Sequence, residues 1–337
     1  MHRFFAIRAG SDLIGRGLAQ LAEMDVVELM AGDVEVAVTF SAVGRSDAEA
    51  ACGTAQTSVP AGLVLGADLA GIVARSSDAR WRAGDAVIAT GHGLGLTHHG
   101  GWAELARVPG SWLLRQPDGL TALQCMAIGS PGLAAMQAVL TVDGNGVLPE
   151  TGPVVVTGST GGVGSLVTIA LSAHGFKVLA VTRRPEHAAY LYSLGASDLM
   201  RPEDLLSTAE VMPDRWAAAV DCLGGRALTA LIEGTVRGGS VVSLGEVACE
   251  RTVSSLAPFT HRGVSLLGVD MRHAARSRRI ETWDQWAECV GPRLTLATTV
   301  INLEDAVPAA QALLADRLRG RVVIQVDNSR TLRPTLH

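Results

Sequence analysis

The chain has 337 residues, 48% of them hydrophobic and 18% charged, with a formal net charge of −5. That size and composition fit a globular protein of about two domains, and the mildly acidic balance excludes an obvious nucleic-acid or membrane surface. No apolar run approaches the ~18 residues of a membrane span, and the only lysine, Lys177, opens a predicted strand, which excludes Schiff-base chemistry.

The first residues, 1–8, read as a strand and are too short in their apolar part for a signal peptide. Val26-Val27-Glu28-Leu29 is expected as a strand, then a turn at Ala31-Gly32-Asp33, then Val34 to Phe40 alternating with the period of a half-buried strand. Ser41 to Ala48 is a loop leading into a short helix. Two further strands are expected over 65–73 and 82–88, a flexible loop at Gly91-His92-Gly93-Leu94-Gly95, and a strand over 100–108. Short strands with glycine turns at this spacing suggest a small barrel. Residues 123–140 read as a helical pair broken at Gly129-Ser130-Pro131-Gly132.

Val154 to Thr157 is a buried β-branched strand. Gly158-Ser159-Thr160-Gly161-Gly162-Val163-Gly164 is a tight glycine turn opening a helix that ends at Gly175, and Lys177 to Val181 is the next strand. In a complete βαβ unit, glycines at the strand-to-helix turn let the free N–H groups of the helix start approach a phosphate. A packing turn is the bland alternative. The second strand ends in Thr182-Arg183-Arg184. An NAD site wants an acid there, about 20 residues past the glycines, for the ribose 2′-hydroxyl. None is present at the tip, and two guanidiniums suit a 2′-phosphate, so the expected cofactor is NADPH; a solvated Arg pair at a helix start is the alternative. Glu186 follows Pro185 and suits the first turn of the next helix. Strands of the same sheet are further expected at 198–200, 217–222, 240–245 and 264–269, with helices at 185–194 and 228–235; the tail then offers helices at 280–291 and 303–314 and a last strand at 320–326, outside that sheet. The result is a doubly wound parallel sheet of about six strands. Cys222, Leu244, Gly245, Gly268, Val269 and Arg321 are expected as further cofactor contacts. The five cysteines, Cys52, Cys125, Cys222, Cys249 and Cys289, are scattered without a CxxC pair, which fits reduced thiols in a cytoplasmic protein.

Gly66-Ala67-Asp68-Leu69-Ala70-Gly71, Gly84-Asp85, Val155 to Gly164, Leu194-Gly195-Ala196 and Gly320-Arg321-Val322-Val323 together resemble the medium-chain dehydrogenase/reductases. Thr90 to Gly95, Ile128 to Gly132 and Leu267-Gly268-Val269-Asp270 resemble the zinc-free quinone-oxidoreductase branch, the acrylyl-CoA reductases in particular. The resemblance covers essentially the whole chain. It implies an α/β protein with a GroES-like β-barrel catalytic domain (1–124), a Rossmann NADPH-binding domain (125–268) and a C-terminal segment (269–337) returning to the first. It also implies an NADPH-dependent 2-enoyl thioester reductase acting on a small molecule, with acyl-CoA as a candidate, and a homodimer. A quinone or iminium reductase, or an NADPH-binding sensor without turnover, is the alternative.

Zinc is not expected. The zinc branch carries Gly-His-Glu where this chain has Gly66-Ala67-Asp68, and three ligands cannot be assembled; His98-His99 is an adjacent pair that rarely points one way. Short-chain dehydrogenases need a Tyr with a Lys four residues on, and neither Tyr190 nor Tyr192 has one. The acrylyl-CoA reductases carry Asn-Tyr-Lys-Asp where this chain has Gly44-Arg45-Ser46-Asp47, so the Tyr that resemblance would make a proton donor is gone. Arg45, Asp47, His92 and Ser130 are the catalytic candidates. Arg45 can donate to a developing oxyanion but cannot give up its proton; a solvent-facing loop residue is the alternative. The basic run Arg272 to Arg279 suits CoA phosphates or a solvated helix face.

Overall fold

The computed structural model describes residues 3–10, 17–55, 59–209, 215–245, 247 and 251–327. The chain divides into two compact units, Met1–Ser130 with Thr298–His337, and Pro131–Ala297.

In the first unit the strand Val34–Val43 is the hub. It runs three residues past the predicted end and pairs with Arg321–Gln325 on one side and Asp68–Ser76 on the other, all antiparallel. Leu105–Val108 pairs with its first half. Ala86–Thr90 and Leu114–Arg115 extend the sheet beyond Asp68–Ser76, and Thr298–Asn302 lies parallel on the far side of Arg321–Gln325. A separate hairpin joins Arg3–Arg8 to Gln20–Asp25. Val26–Glu28 is a 3-10 turn rather than the expected strand. Asp25 caps it by accepting the N–H of Val27, and Glu28 reaches back to the N–H of Asp25, a reciprocal cap that competes with strand pairing. The alternating valines of Val34–Val43 feed a core that includes Val36, Val38, Leu65, Leu69 and Trp102, and the Trp102 indole donates to the Ala42 carbonyl at 2.9 Å.

The second unit is a six-stranded parallel sheet in the order Ala196–Met200, Val178–Val181, Val154–Val156, Trp216–Asp221, Thr235–Ser243, Ser265–Gly268. Numbered along the chain this is 3-2-1-4-5-6, the doubly wound order, with its switch point between Val154–Val156 and Trp216–Asp221. The helices Arg276–Cys289 and Pro292–Leu296 also belong to this unit. Trp283 and Trp286 are buried, and the Trp286 indole donates to the Gly132 carbonyl at 2.7 Å. The break after Ala297 therefore lies well past the boundary placed at 268 from sequence.

Residues Ala122–Gly144 are the helical pair expected from the sequence, two helices meeting at a break at Gly129, where φ is 53° and ψ −161°, together the broken helix Ala122–Gly144. Pro131 falls in the first turn after the break, where a missing N–H costs little. The expectation that no run is long enough to span a membrane is corrected here: this helix passes by length and composition, although 67% of its most apolar stretch is buried inside the protein, as in a core helix.

Candidate active site and dinucleotide cradle

Within the second unit, the expected cofactor residues gather at the carboxyl ends of the strands. Gly158 has φ 61°. The chain then crosses itself so closely that a Cβ on Gly164 would sit 2.2 Å from the Gly158 carbonyl oxygen. The helix Gly162–Ala173 begins at Gly161 with no side-chain cap and no acid in its first turn. An uncapped N-terminus has donors to spare for an anion. The donor set thus fits the pyrophosphate of a dinucleotide. Ser159 is fully buried and its hydroxyl donates to the Val156 carbonyl at 2.6 Å, so it is available to a ligand through its backbone alone.

Across the switch point, Thr157 and Asp221 are locked together, with the Thr157 hydroxyl donating to Asp221 at 2.6 Å. The same carboxylate accepts the N–H groups of Leu223 and Gly224. Burial pushes its pKa up, and these donors oppose the rise. Burial likewise raises the Cys222 thiol, leaving it protonated and unreactive. Gly245 packs on the Cys222 carbonyl, where a Cβ would lie at 3.0 Å, and Leu244 donates its N–H to the Asp221 carbonyl. Gly268 ends the outermost strand beside Ser243, with Val269 just beyond it.

At the tip of Val178–Val181 the Thr182 hydroxyl accepts the Arg184 N–H at 3.1 Å, which turns the chain into Pro185–His187. Arg183 is exposed and Arg184 half-buried. The tip segment Thr182-Arg183-Arg184 itself contains no Asp or Glu.

The first unit holds a buried polar cluster. Asp47, on the helix Arg45–Ala51, accepts the N–H of Gly44 and of Ala67, each at 2.9 Å. Asp68 accepts both the N–H and the hydroxyl of Ser130. Arg321 donates to the carbonyls of Ala127 at 2.8 Å and Met126 at 3.3 Å, the last turn before the helix breaks. Burial is the main influence on all three groups. It pushes Asp47 up to about 7, helped by the charge of Asp68, and it raises Asp68 and lowers Arg321. Gly129 is required at the centre, because a Cβ there would lie 2.5 Å from Asp68 Oδ2. Asp68 was missed as a site residue from sequence; its place in the Gly66–Gly71 segment was the available signal. Arg321, expected at the cofactor, is in the structure a buried cation of the first unit that holds the helix end.

Arg45 is exposed and lies 3.9 Å from Glu49 one turn along the helix. His92, with φ 54°, stacks on Trp112 at 5.5 Å. The ring nitrogens of His98 and His99 are engaged by backbone groups: His98 contacts the carbonyls of His99 and Ala31, and His99 takes the Val64 N–H and contacts the Glu28 carbonyl. The run Arg272 to Arg279 is divided in role. Arg279 is buried and donates to the Met271 and Arg272 carbonyls, whereas Arg278 lies 3.8 Å from Glu281 at the surface.

Residues 30–118 match the alcohol dehydrogenase GroES-like domain and residues 162–290 match the zinc-binding dehydrogenase family. The chain is 35% identical to the probable acrylyl-CoA reductase AcuI of Escherichia coli, over 93% of this chain and 97% of that one. The yhdH oxidoreductase of Salmonella enterica, solved in complex with NADP, superposes with a TM-score of 0.91 at 33% identity, over 97% of this chain and all of that one. The Bacillus subtilis protein yhfP, solved with NAD bound, superposes equally well at 32% identity, over 96% of this chain and all of that one. The chain belongs to the medium-chain dehydrogenase/reductase superfamily, with a GroES-like domain and a Rossmann-like parallel sheet, and is an oxidoreductase. Within the superfamily it groups with the quinone-oxidoreductase-like and acrylyl-CoA reductase proteins.

The family's description implies zinc, and the residues present do not fit one. Gly66-Ala67-Asp68 offers a single carboxylate, already committed to Ser130. Among the described residues no three His, Cys, Asp or Glu side chains gather as a ligand set.

Proposed function

We propose that this protein is an NADPH-dependent reductase of an activated C=C bond, in a 2-enoyl thioester such as acrylyl-CoA or in an enone, and that it works without zinc. The observation that carries the reading is the strand tip Thr182-Arg183-Arg184, a segment with two guanidiniums and no acid in its sequence, in the unit whose glycine-turn helix begins uncapped, in a chain related to acrylyl-CoA reductases. The NADP bound by yhdH supports the cofactor choice, while the NAD bound by yhfP makes the tip residues the deciding feature.

Bound NADPH supplies the hydride. Arg183 and Arg184 hold the 2′-phosphate, and the backbone N–H groups from Thr160 to Gly164 hold the pyrophosphate. Ser130 spends its hydroxyl proton on Asp68, so towards a ligand it accepts hydrogen bonds. It suits an amide N–H and does not suit a substrate carbonyl. The substrate is a small molecule, and a homodimer belongs to the same proposal, with sedimentation as its check.

The test is NADPH oxidation with acrylyl-CoA, crotonyl-CoA and a simple quinone in parallel. Turnover of a thioester supports the reading. Turnover of the quinone alone favours the alternative suggested by yhfP, which is described as a putative quinone oxidoreductase. Tight NADPH binding without turnover of any of them favours a sensor.

A further inference from the structure

Behind the glycine turn runs a short buried chain of hydroxyls that the cofactor reading does not use. Ser165, fully buried in the first turns of Gly162–Ala173, donates its hydroxyl to the Ser159 carbonyl at 3.1 Å. Its oxygen also lies 2.8 Å from the phenol of Tyr190. A serine has one hydroxyl proton, and here the Ser159 carbonyl takes it. The phenol must therefore be the donor of the second bond. Tyr190 is itself buried, on the helix Ala188–Leu194 that follows the Thr182-Arg183-Arg184 tip.

The consequence lies in the Ser159–Thr160 peptide. The described chain has no cis bonds, and in a planar trans peptide the C=O and N–H point in opposite directions. Pinning the Ser159 carbonyl on Ser165 therefore turns the Thr160 N–H the opposite way, off the side of the turn that Ser165 occupies. This is the central peptide of a turn closed by the Gly161 N–H on the Gly158 carbonyl at 2.9 Å, and the Ser165 hydroxyl is the side-chain group that holds its carbonyl. Without that anchor the tilt of the peptide is set by the turn alone, and the Thr160 N–H is aimed less firmly.

We propose that Tyr190, acting through Ser165, is a positioning residue for the diphosphate of the cofactor: the two hydroxyls fix the Ser159–Thr160 peptide in its anion-facing orientation. This rests on the dinucleotide reading of the turn and adds to it. It also joins the two ends of the adenosine diphosphate site mechanically, because the helix that carries Tyr190 starts just past the arginines of the strand tip.

The experiment compares two ligands by calorimetry on the intact protein. NADPH carries the diphosphate; adenosine 2′-monophosphate carries the 2′-phosphate and lacks it. Tyr190→Phe is expected to weaken NADPH about threefold to tenfold, the range of one neutral hydrogen bond, and to leave the monophosphate unchanged. Ser165→Ala is expected to do the same, and the double variant to lose no more than either single one, since both act through one chain of bonds. Thermal unfolding of each variant is followed alongside, so that Ser165→Ala carries the test if Tyr190→Phe does not fold. Equal weakening of both ligands, or additive losses in the double variant, overturns the proposal and leaves the cofactor site standing. A parent protein that binds neither ligand overturns the dinucleotide reading and the proposal with it.

Discussion

Ser130 gives both of its donors to one carboxylate: its amide N–H reaches Asp68 Oδ2 at 2.8 Å and its hydroxyl bonds the other oxygen. The pair spans the break in the helix Ala122–Gly144 and explains the residue before it. Gly129 must take a positive φ so that Ser130 can turn onto Asp68, and its missing Cβ leaves the space the carboxylate occupies.

Gly129→Ala therefore meets two obstacles at once. A left-handed backbone costs an L-residue roughly 1–2 kcal/mol, and the new Cβ would lie 2.5 Å from Asp68 Oδ2 and 3.2 Å from Arg321. The expected loss is at least about 2 kcal/mol of unfolding free energy, measured by urea denaturation. A variant as stable as the parent would mean that the carboxylate is not held there.

Asp47 makes a pH prediction. Its pKa is raised from 3.8 to about 7, first by burial and then by Asp68, against the opposing effect of the Gly44 and Ala67 N–H groups and of Arg321. Between those two pH values the folded protein keeps a proton that the unfolded chain has released. Stability therefore falls as pH rises from about 4 to about 7, by up to about 1.4 kcal/mol per pH unit for this one group. Asp47→Asn disturbs the two N–H bonds and lowers stability throughout. Its signature is the slope: the variant's denaturation midpoint should vary less between pH 5 and pH 7 than the parent's. Parallel curves for the two proteins would refute the assignment.

The readable parts of this chain were those governed by local rules. The valine run before the glycine turn, the turn itself and the alternation in Val34–Val43 each announce their element by periodicity or by glycine placement. The doubly wound parallel sheet followed, because short crossovers leave few alternatives. What was not readable depends on residues far apart in the chain. Asp68 and Ser130 are separated by 62 positions, and Arg321 lies 194 from the Ala127 carbonyl it holds. Nothing local distinguishes a buried arginine in a strand from one that faces a phosphate. The break at Gly129 belongs with the readable parts, because the glycines and proline of 129–132 interrupt the helical pattern and Gly129 is non-helical in the structure. Thr298–Asn302 was missed although its β-branched run Thr298-Thr299-Val300-Ile301 was a signal; its burial does not alternate, and it is held by pairing with Arg321–Gln325.

Cofactor choice is testable at the strand tip. Hydrogen bonds between charged groups contribute about 1.5–3 kcal/mol each. Replacing Arg183 and Arg184 together by Ala should weaken NADPH at least roughly tenfold and leave NADH little changed, read from direct binding to the two cofactors. A parent protein with equal affinity for both would contradict the 2′-phosphate role, and the NAD bound by yhfP makes that comparison worth running first.

Arg45 was expected as a catalytic candidate, and its geometry in the first unit is that of a surface charge. Its side chain is 49% exposed, and its partner Glu49 is 3.9 Å away, at the limit of an ion pair. Exposed pairs of this kind contribute about 0–1 kcal/mol, and a cation on the first residue of a helix lies at the positive end of its dipole. A preorganised donor to an oxyanion would instead cost roughly 10²–10³ in rate when removed. The two roles are far enough apart for one variant to separate them. Arg45→Ala should change unfolding free energy by less than about 0.5 kcal/mol and turnover by no more than about twofold, with NADPH affinity measured separately to keep binding out of the comparison. A hundredfold fall in turnover at unchanged cofactor affinity would make Arg45 part of the chemistry. Arg45→Tyr then asks the complementary question: a gain of acrylyl-CoA turnover over the parent would show that this position sets the substrate rather than the scaffold.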